Sequence, residues 1–120
     1  MPLLELTLTM TEDGNPVAGF PVIVRLSPTE IVKARITKSG TDGSSYFGIS
    51  SLATENIVVL FSDTNINVAL NGQTNGQFTL QSGGFLLLVN GQLSAGSASN
   101  VQVNNNTGQT ANLTFLEVGP

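Results

Sequence analysis

Between Leu4 and Met10 the chain alternates strictly between apolar and polar residues. Only an extended strand sets Leu4, Leu6, Leu8 and Met10 on one face. The pattern is followed by short β-forming runs at Phe20–Leu26, Tyr46–Ile49, Ile57–Phe61, Ile66–Leu70, Gln77–Leu80, Phe85–Val89, Val101–Val103 and Ala111–Val118, with Gly or Asn at nearly every turn between them. Strands at this spacing predict an all-β chain: an antiparallel β-sandwich, immunoglobulin-like or jelly-roll-like, with little or no helix.

The punctuation is as informative as the runs. Glu12–Ala18 concentrates turn formers, so the first two strands are expected to pair through this loop. Proline disfavours continuing the second strand through Ser27-Pro28-Thr29-Glu30. In residues 30–38 a helix competes with a strand, and the β-branched residues Ile31, Val32, Ile36 and Thr37 favour the strand. The run Ile57–Phe61 is expected to be fully buried.

From Thr64 to Leu116 there is no charged residue, and all but one of the twelve charges precede that stretch. A division into a charged half, 1–62, and an uncharged Asn/Gly-rich half, 63–120, is conceivable. Each half would have about sixty residues and no covalent staple, which makes two independent cores marginal. A single domain spanning 1–120, with two differently dressed ends, is therefore expected.

The chain contains neither histidine nor cysteine. That removes the commonest general base, the commonest metal ligand, the best neutral-pH nucleophile and any disulfide. Carboxylate chemistry would have to draw on Glu5, Glu12, Asp13, Glu30, Asp42, Glu55, Asp63 and Glu117, most of which fall beside turns or on solvent-side strand positions. The expectation is a non-enzymatic protein with no cofactor and no metal. Glu12-Asp13-Gly14-Asn15 resembles a fragment of a calcium loop but lacks the remaining oxygen ligands, and it suits a tight turn better.

The net charge is −4, and the cations are Arg25, Lys33, Arg35 and Lys38 alone, too few to neutralise a run of phosphates. No nucleic-acid partner is expected. No membrane partner is expected either, because no apolar run approaches bilayer length. The opening Met1-Pro2-Leu3-Leu4-Glu5 lacks the features of a secretion signal, which suggests synthesis in the cytoplasm. On that reading the sequons at Asn105 and Asn112 are turn and strand chemistry, not glycan sites.

Four features suggest contact surfaces. Arg25, Lys33, Arg35 and Lys38 cluster in sequence, and on a strand Lys33, Arg35 and Thr37 share a face, which would suit an acidic neighbour. Phe85–Val89 is apolar on both faces and must be covered, as a central core strand by preference or else by a second copy, with Phe85 and Leu87 as candidate contacts. Val101–Phe115 reads as a hairpin with Gln102, Asn104, Asn112 and Thr114 turned outward as a ladder of amides and hydroxyls. The segment Pro2–Leu6, with Leu3 and Leu4, could add a strand to a neighbour.

Two stretches resemble known families. Asp13-Gly14-Asn15-Pro16-Val17-Ala18-Gly19-Phe20-Pro21-Val22, followed by Thr41-Asp42-Gly43-Ser44-Ser45-Tyr46-Phe47, resembles the opening of bacterial immunoglobulin-like and transthyretin-like modules, departing at Ser45 where the family often has Gly. That resemblance implies the sandwich fold. The second half, around Gly84-Phe85-Leu86-Leu87-Leu88 and Asn104-Asn105-Asn106-Thr107-Gly108, is similar in style to small virion structural proteins of tailed bacteriophages. It implies a capsid decoration (cement) protein, or a neck, tail or fibre component, located in the virion, trimeric, and partnered by the major capsid protein or other virion proteins. A carbohydrate-binding or adhesive immunoglobulin-like module is the rival, though the chain has no Trp and a single Tyr, Tyr46, to build a sugar platform.

Overall fold

The computed structural model describes residues 3–28, 30–73 and 75–120. In chain order the strands are β1 (Leu4–Leu8), β2 (Thr11–Glu12), β3 (Asn15–Pro16), β4 (Val22–Leu26), β5 (Glu30–Lys38), β6 (Phe47–Gly48), β7 (Glu55–Ser62), β8 (Ile66–Leu70), β9 (Phe78–Leu80), β10 (Phe85–Leu93), β11 (Val101–Asn104) and β12 (Ala111–Gly119). One 3-10 turn, Ser97–Ser99, is the sole helical element among the described residues. The chain is all-β and antiparallel, and residues 30–38 form a strand as their β-branched content favours. Of the segments singled out in the sequence, Pro2 and Thr29 lie outside the described residues.

Two four-stranded sheets face each other, a front sheet ordered β10-β7-β12-β5 and a back sheet ordered β6-β11-β8-β9. Between them lies the core, with Val58, Leu60, Leu113 and Phe115 from the front and Ile66, Val68, Leu80, Val101 and Val103 from the back. Strict alternation builds it: in β12, Ala111, Leu113 and Phe115 are buried while Asn112 and Thr114 are exposed. A separate ribbon pairs β1 with β4, from Leu4↔Leu26 to Leu8↔Val22, as the flanking turn residues predict. Its tip is the small β2–β3 hairpin, turned at Asp13 and Gly14. Both have positive φ, 52° and 81°, the conformation that Asp-Gly favours in a two-residue turn.

Two sequence expectations need correction. Val101–Phe115 is not a hairpin, because β11 pairs with β8 and β6 in the back sheet while β12 pairs with β5 and β7 in the front. Facing each other across the core satisfies the inward Val101, Val103, Leu113 and Phe115 as well as pairing would. Nor is β10 a central strand: it sits at the front sheet's edge. Its inner residues Leu86 and Leu88 pack on the core. Its outer Leu87 and Val89 meet Leu6, Leu8, Val22 and Val24 of the ribbon, so the cover comes from the same chain. The run Ile57–Phe61 is central, yet Phe61 is 40% exposed.

The crossing from β11 to β12 is tied by a buried Asn105. Its side-chain amide donates to the carbonyls of Lys38 and Gln109, and its side-chain oxygen accepts from the Thr107 hydroxyl. Asp42 accepts the Asn105 amide and pairs with Lys38. At Gly40 the two loops approach so closely that a Cβ would stand 2.7 Å from the Gln109 carbonyl oxygen. Asn105→Ala removes the buried amide that ties the part-buried carbonyls of Lys38 and Gln109 and is expected to cost about 1–3 kcal/mol. Replacing the adjacent exposed Asn106 by Ala should change stability by no more than about 0.5 kcal/mol. Urea midpoints of the two variants, compared with wild type, check the contrast.

Candidate functional site

Antiparallel sheets in a sandwich ordinarily turn polar residues outward. The front sheet does not. Its register aligns Phe85, Phe61, Thr114 and Arg35 in one row across the outer face, and Leu87, Val59, Leu116 and Lys33 in the next. A third row holds Val89, Ile57, Val118 and Ile31. The ribbon lies against Leu87 and Val89, and its root at Leu26 reaches Val118 and Gly119. What it leaves open is the side bearing Phe61 and Phe85, 40% and 58% exposed, continuous with a shallow groove of ≈ 340 Å³ lined by Lys33, Ala34, Arg35, Thr114, Phe115 and Leu116. Contiguous exposed aromatic surface of this kind marks an interaction site more often than an isolated exposed side chain does.

The structure thus brings together Phe85, Leu87, Thr114, Lys33 and Arg35, with Asn112 at the margin opposite Thr37. Asn112 holds the Asp63 carboxyl below its usual range by donating to it from backbone and side chain, at 2.8 and 2.9 Å. Leu3 is exposed and Leu4 half-buried at the foot of the ribbon.

The remaining expected contacts lie elsewhere. Arg25 is on the ribbon, paired with Glu5 at 2.8 Å. Lys38 follows the opposite phase of β5 from Lys33 and Arg35 and turns to Asp42 and the ring of Phe47, 4.0 Å away. The four cations therefore do not form one patch. Gln102 belongs to the other sheet and donates to the Gln73 carbonyl. Asn104 faces away from the core but is only 2% exposed, because the 43–45 loop covers it. Its amide donates to the carbonyls of Gly43 and Ser45, and its oxygen accepts from Asn67. The outward amide ladder is thereby divided between two sheets, and its Asn104 rung is satisfied internally.

One constellation escaped the sequence reading. Glu55 and Glu117 are both fully buried and adjacent. Glu117 accepts from the Ser51 amide and hydroxyl and the Leu52 amide, at 2.9, 2.9 and 3.1 Å. Among the described residues neither Glu55 oxygen has a well-formed hydrogen bond, and the nearby Asn100 amide offsets only part of the cost of ionising it. As a neutral acid Glu55 can itself donate to Glu117, and burial, reinforced by that bond and by the negative charge of Glu117, pushes its pKa up from 4.5 to about 8. Glu117 was detectable in the sequence, since it follows Leu113 and Phe115 in the same phase. Both carboxyls are closed off from solvent, at 0% and 1% exposure.

Among the described residues no group of three or more His, Cys, Asp or Glu could hold a metal, and no helix is long and apolar enough to cross a membrane. Comparison with protein-family models, with curated proteins and with solved structures finds no match to this chain.

The Glu55 proton makes a pH prediction. Its folded-state pKa is raised, so the stability it contributes is complete below about pH 4.5 and is lost as pH climbs through about 8. Unfolding free energy should fall by up to about 1.4 kcal/mol per pH unit across that window. Glu55→Gln, neutral throughout, should flatten the decline. Parallel profiles for the two proteins in urea titrations would exclude the assignment.

Proposed function

We propose that this chain is a non-enzymatic structural subunit that docks the open side of its front sheet on other protein subunits, and that its setting is a tailed-phage virion, as a capsid decoration protein. The observation that carries the reading is the exposed Phe61–Phe85 row beside Lys33 and Arg35, on a sheet face whose other side is already closed by the ribbon. A large apolar centre bordered by arginine and lysine has the make-up of a protein contact. Neutral amides satisfied inside the fold, and the lack of imidazole and thiol, fit a scaffold better than a catalyst. Partners on this reading are the major capsid protein and copies of the same chain, with no nucleic acid and no membrane.

The test is co-sedimentation of the purified protein with emptied tailed-phage heads stripped of their own decoration proteins. Saturable binding is expected. Phe85→Ser should weaken it by about thirtyfold or more, as loss of a central aromatic anchor does, while its thermal midpoint stays near wild type. Binding unchanged by Phe85→Ser would remove the face from the proposal. Binding to a glycan panel, with none to any head, would favour the adhesive module instead.

A further inference from the structure

Of the carboxylates that pair with no cation among the described residues, Glu30, Glu55, Asp63 and Glu117 lie on or beside the sheets, and only Glu12 and Asp13 sit together at an exposed tip. Arg25 pairs with Glu5 and Lys38 with Asp42, while among the described residues Lys33 and Arg35 pair with no carboxylate. Among the described residues Glu12 and Asp13, at the turn of the β2–β3 hairpin, pair with no cation either. Two unpaired cations thus border the open face, and two unpaired anions occupy the far end of the ribbon.

Within one molecule no ion pair joins the two groups among the described residues. The ribbon rests on Leu87 and Val89 of β10, whereas Lys33 and Arg35 stand on β5, the opposite edge of the same sheet. Four strands at about 4.8 Å spacing put roughly 14 Å between those edges. Residues 9–16 at the tip are all exposed, including Met10 at 48%. The tip is nonetheless ordered, closed by the Val17 amide donating to the Met10 carbonyl at 2.9 Å and by its two-residue turn. It is a preformed, acidic, partly apolar projection, and its complement is an apolar face with a cationic border.

We propose that the hairpin tip of one copy docks on the Phe61–Phe85 face of a second copy, setting Glu12 and Asp13 against Lys33 and Arg35. This rests on the reading of that face as a docking surface and names its occupant as another copy of this chain. Tip and face are different surfaces, so the contact is head-to-tail and is satisfied at every subunit only when the copies close into a ring.

Charge exchange followed by sedimentation velocity tests it. Wild type should run as a closed oligomer of the 12.5 kDa chain, and raising the salt to about 0.5 M should weaken it, because screening shortens the reach of surface charges to a few ångströms. Glu12→Lys with Asp13→Asn reverses the tip, and Asn is chosen because it tolerates the φ of 52° at residue 13. Lys33→Glu with Arg35→Glu reverses the face. Each pair of changes should weaken association about tenfold or more, and the protein carrying all four should recover it. An equimolar mixture of the two double variants should also associate, since each then offers the surface the other needs. A monomeric wild type, or double variants that associate as wild type does, or failure of both the fourfold variant and the mixture to recover, overturns the contact. Head binding by a monomeric protein would leave the docking face standing while refuting this occupant; ring formation without head binding would leave the face and its occupant standing while refuting the phage-head setting.

Discussion

The register of β12 is the constraint on which the other features depend. It pairs with β5 from Ala111↔Lys38 to Gly119↔Glu30 and with β7 from Leu113↔Ser62 to Val118↔Ile57. A strand between two partners cannot slip by one residue without exchanging its faces. Such a slip would carry Leu113, Phe115 and Glu117 out of the interior and bring Asn112, Thr114 and Leu116 in. Core, buried acid pair and outer rows are therefore fixed by a single choice of phase, and the outer face is as firmly specified as the interior.

The uneven distribution of charge follows from what each part of the chain covers. Strands β8, β9, β10 and β11 all fall within the charge-free stretch, and their inward Ile66, Val68, Leu80, Leu86, Leu88, Val101 and Val103 pack in the core. Their polar contacts are neutral: Asn67 links Thr79 to Asn104, and Asn100 bridges the carbonyls of Leu52 and Ala53 to the Ala95 amide. An amide can be buried with all its partners at far lower desolvation cost than an ion. Glu55 and Glu117 are the exception, and one of them escapes the cost of ionisation by keeping its proton.

Alternation made the strands legible, because period two survives in any antiparallel sheet whichever strands are neighbours. Ile66–Leu70 and Ala111–Gly119 could be placed almost to the residue for that reason, whereas the alternation over Leu4–Met10 overran β1, which ends at Leu8 and leaves Met10 48% exposed. Pairing partners could not, since inward Val101 and Val103 suit a hairpin with Leu113 and Phe115 as well as a position across the core from them. The candidate face was half visible: Lys33, Arg35 and Phe85 could be named, but their juxtaposition depends on β12 entering between β5 and β7 from eighty residues away. Asn104 was misread because a loop distant in sequence covers it, and no local pattern announces such a lid.

Lys33 and Arg35 also stand on an edge strand, where charge is a common guard against pairing with a foreign strand. That role and a docking role are compatible, because they act along different directions. Edge pairing proceeds in the plane of the sheet, through the backbone groups of β5, and long cationic side chains hinder a second strand there. Docking proceeds perpendicular to the sheet, where Phe61, Phe85 and Leu116 supply apolar area and the same cations border it. At the β5 side of the sheet, a guarded edge beside an open aromatic face disfavours strand-to-strand growth while leaving the direction perpendicular to the sheet free.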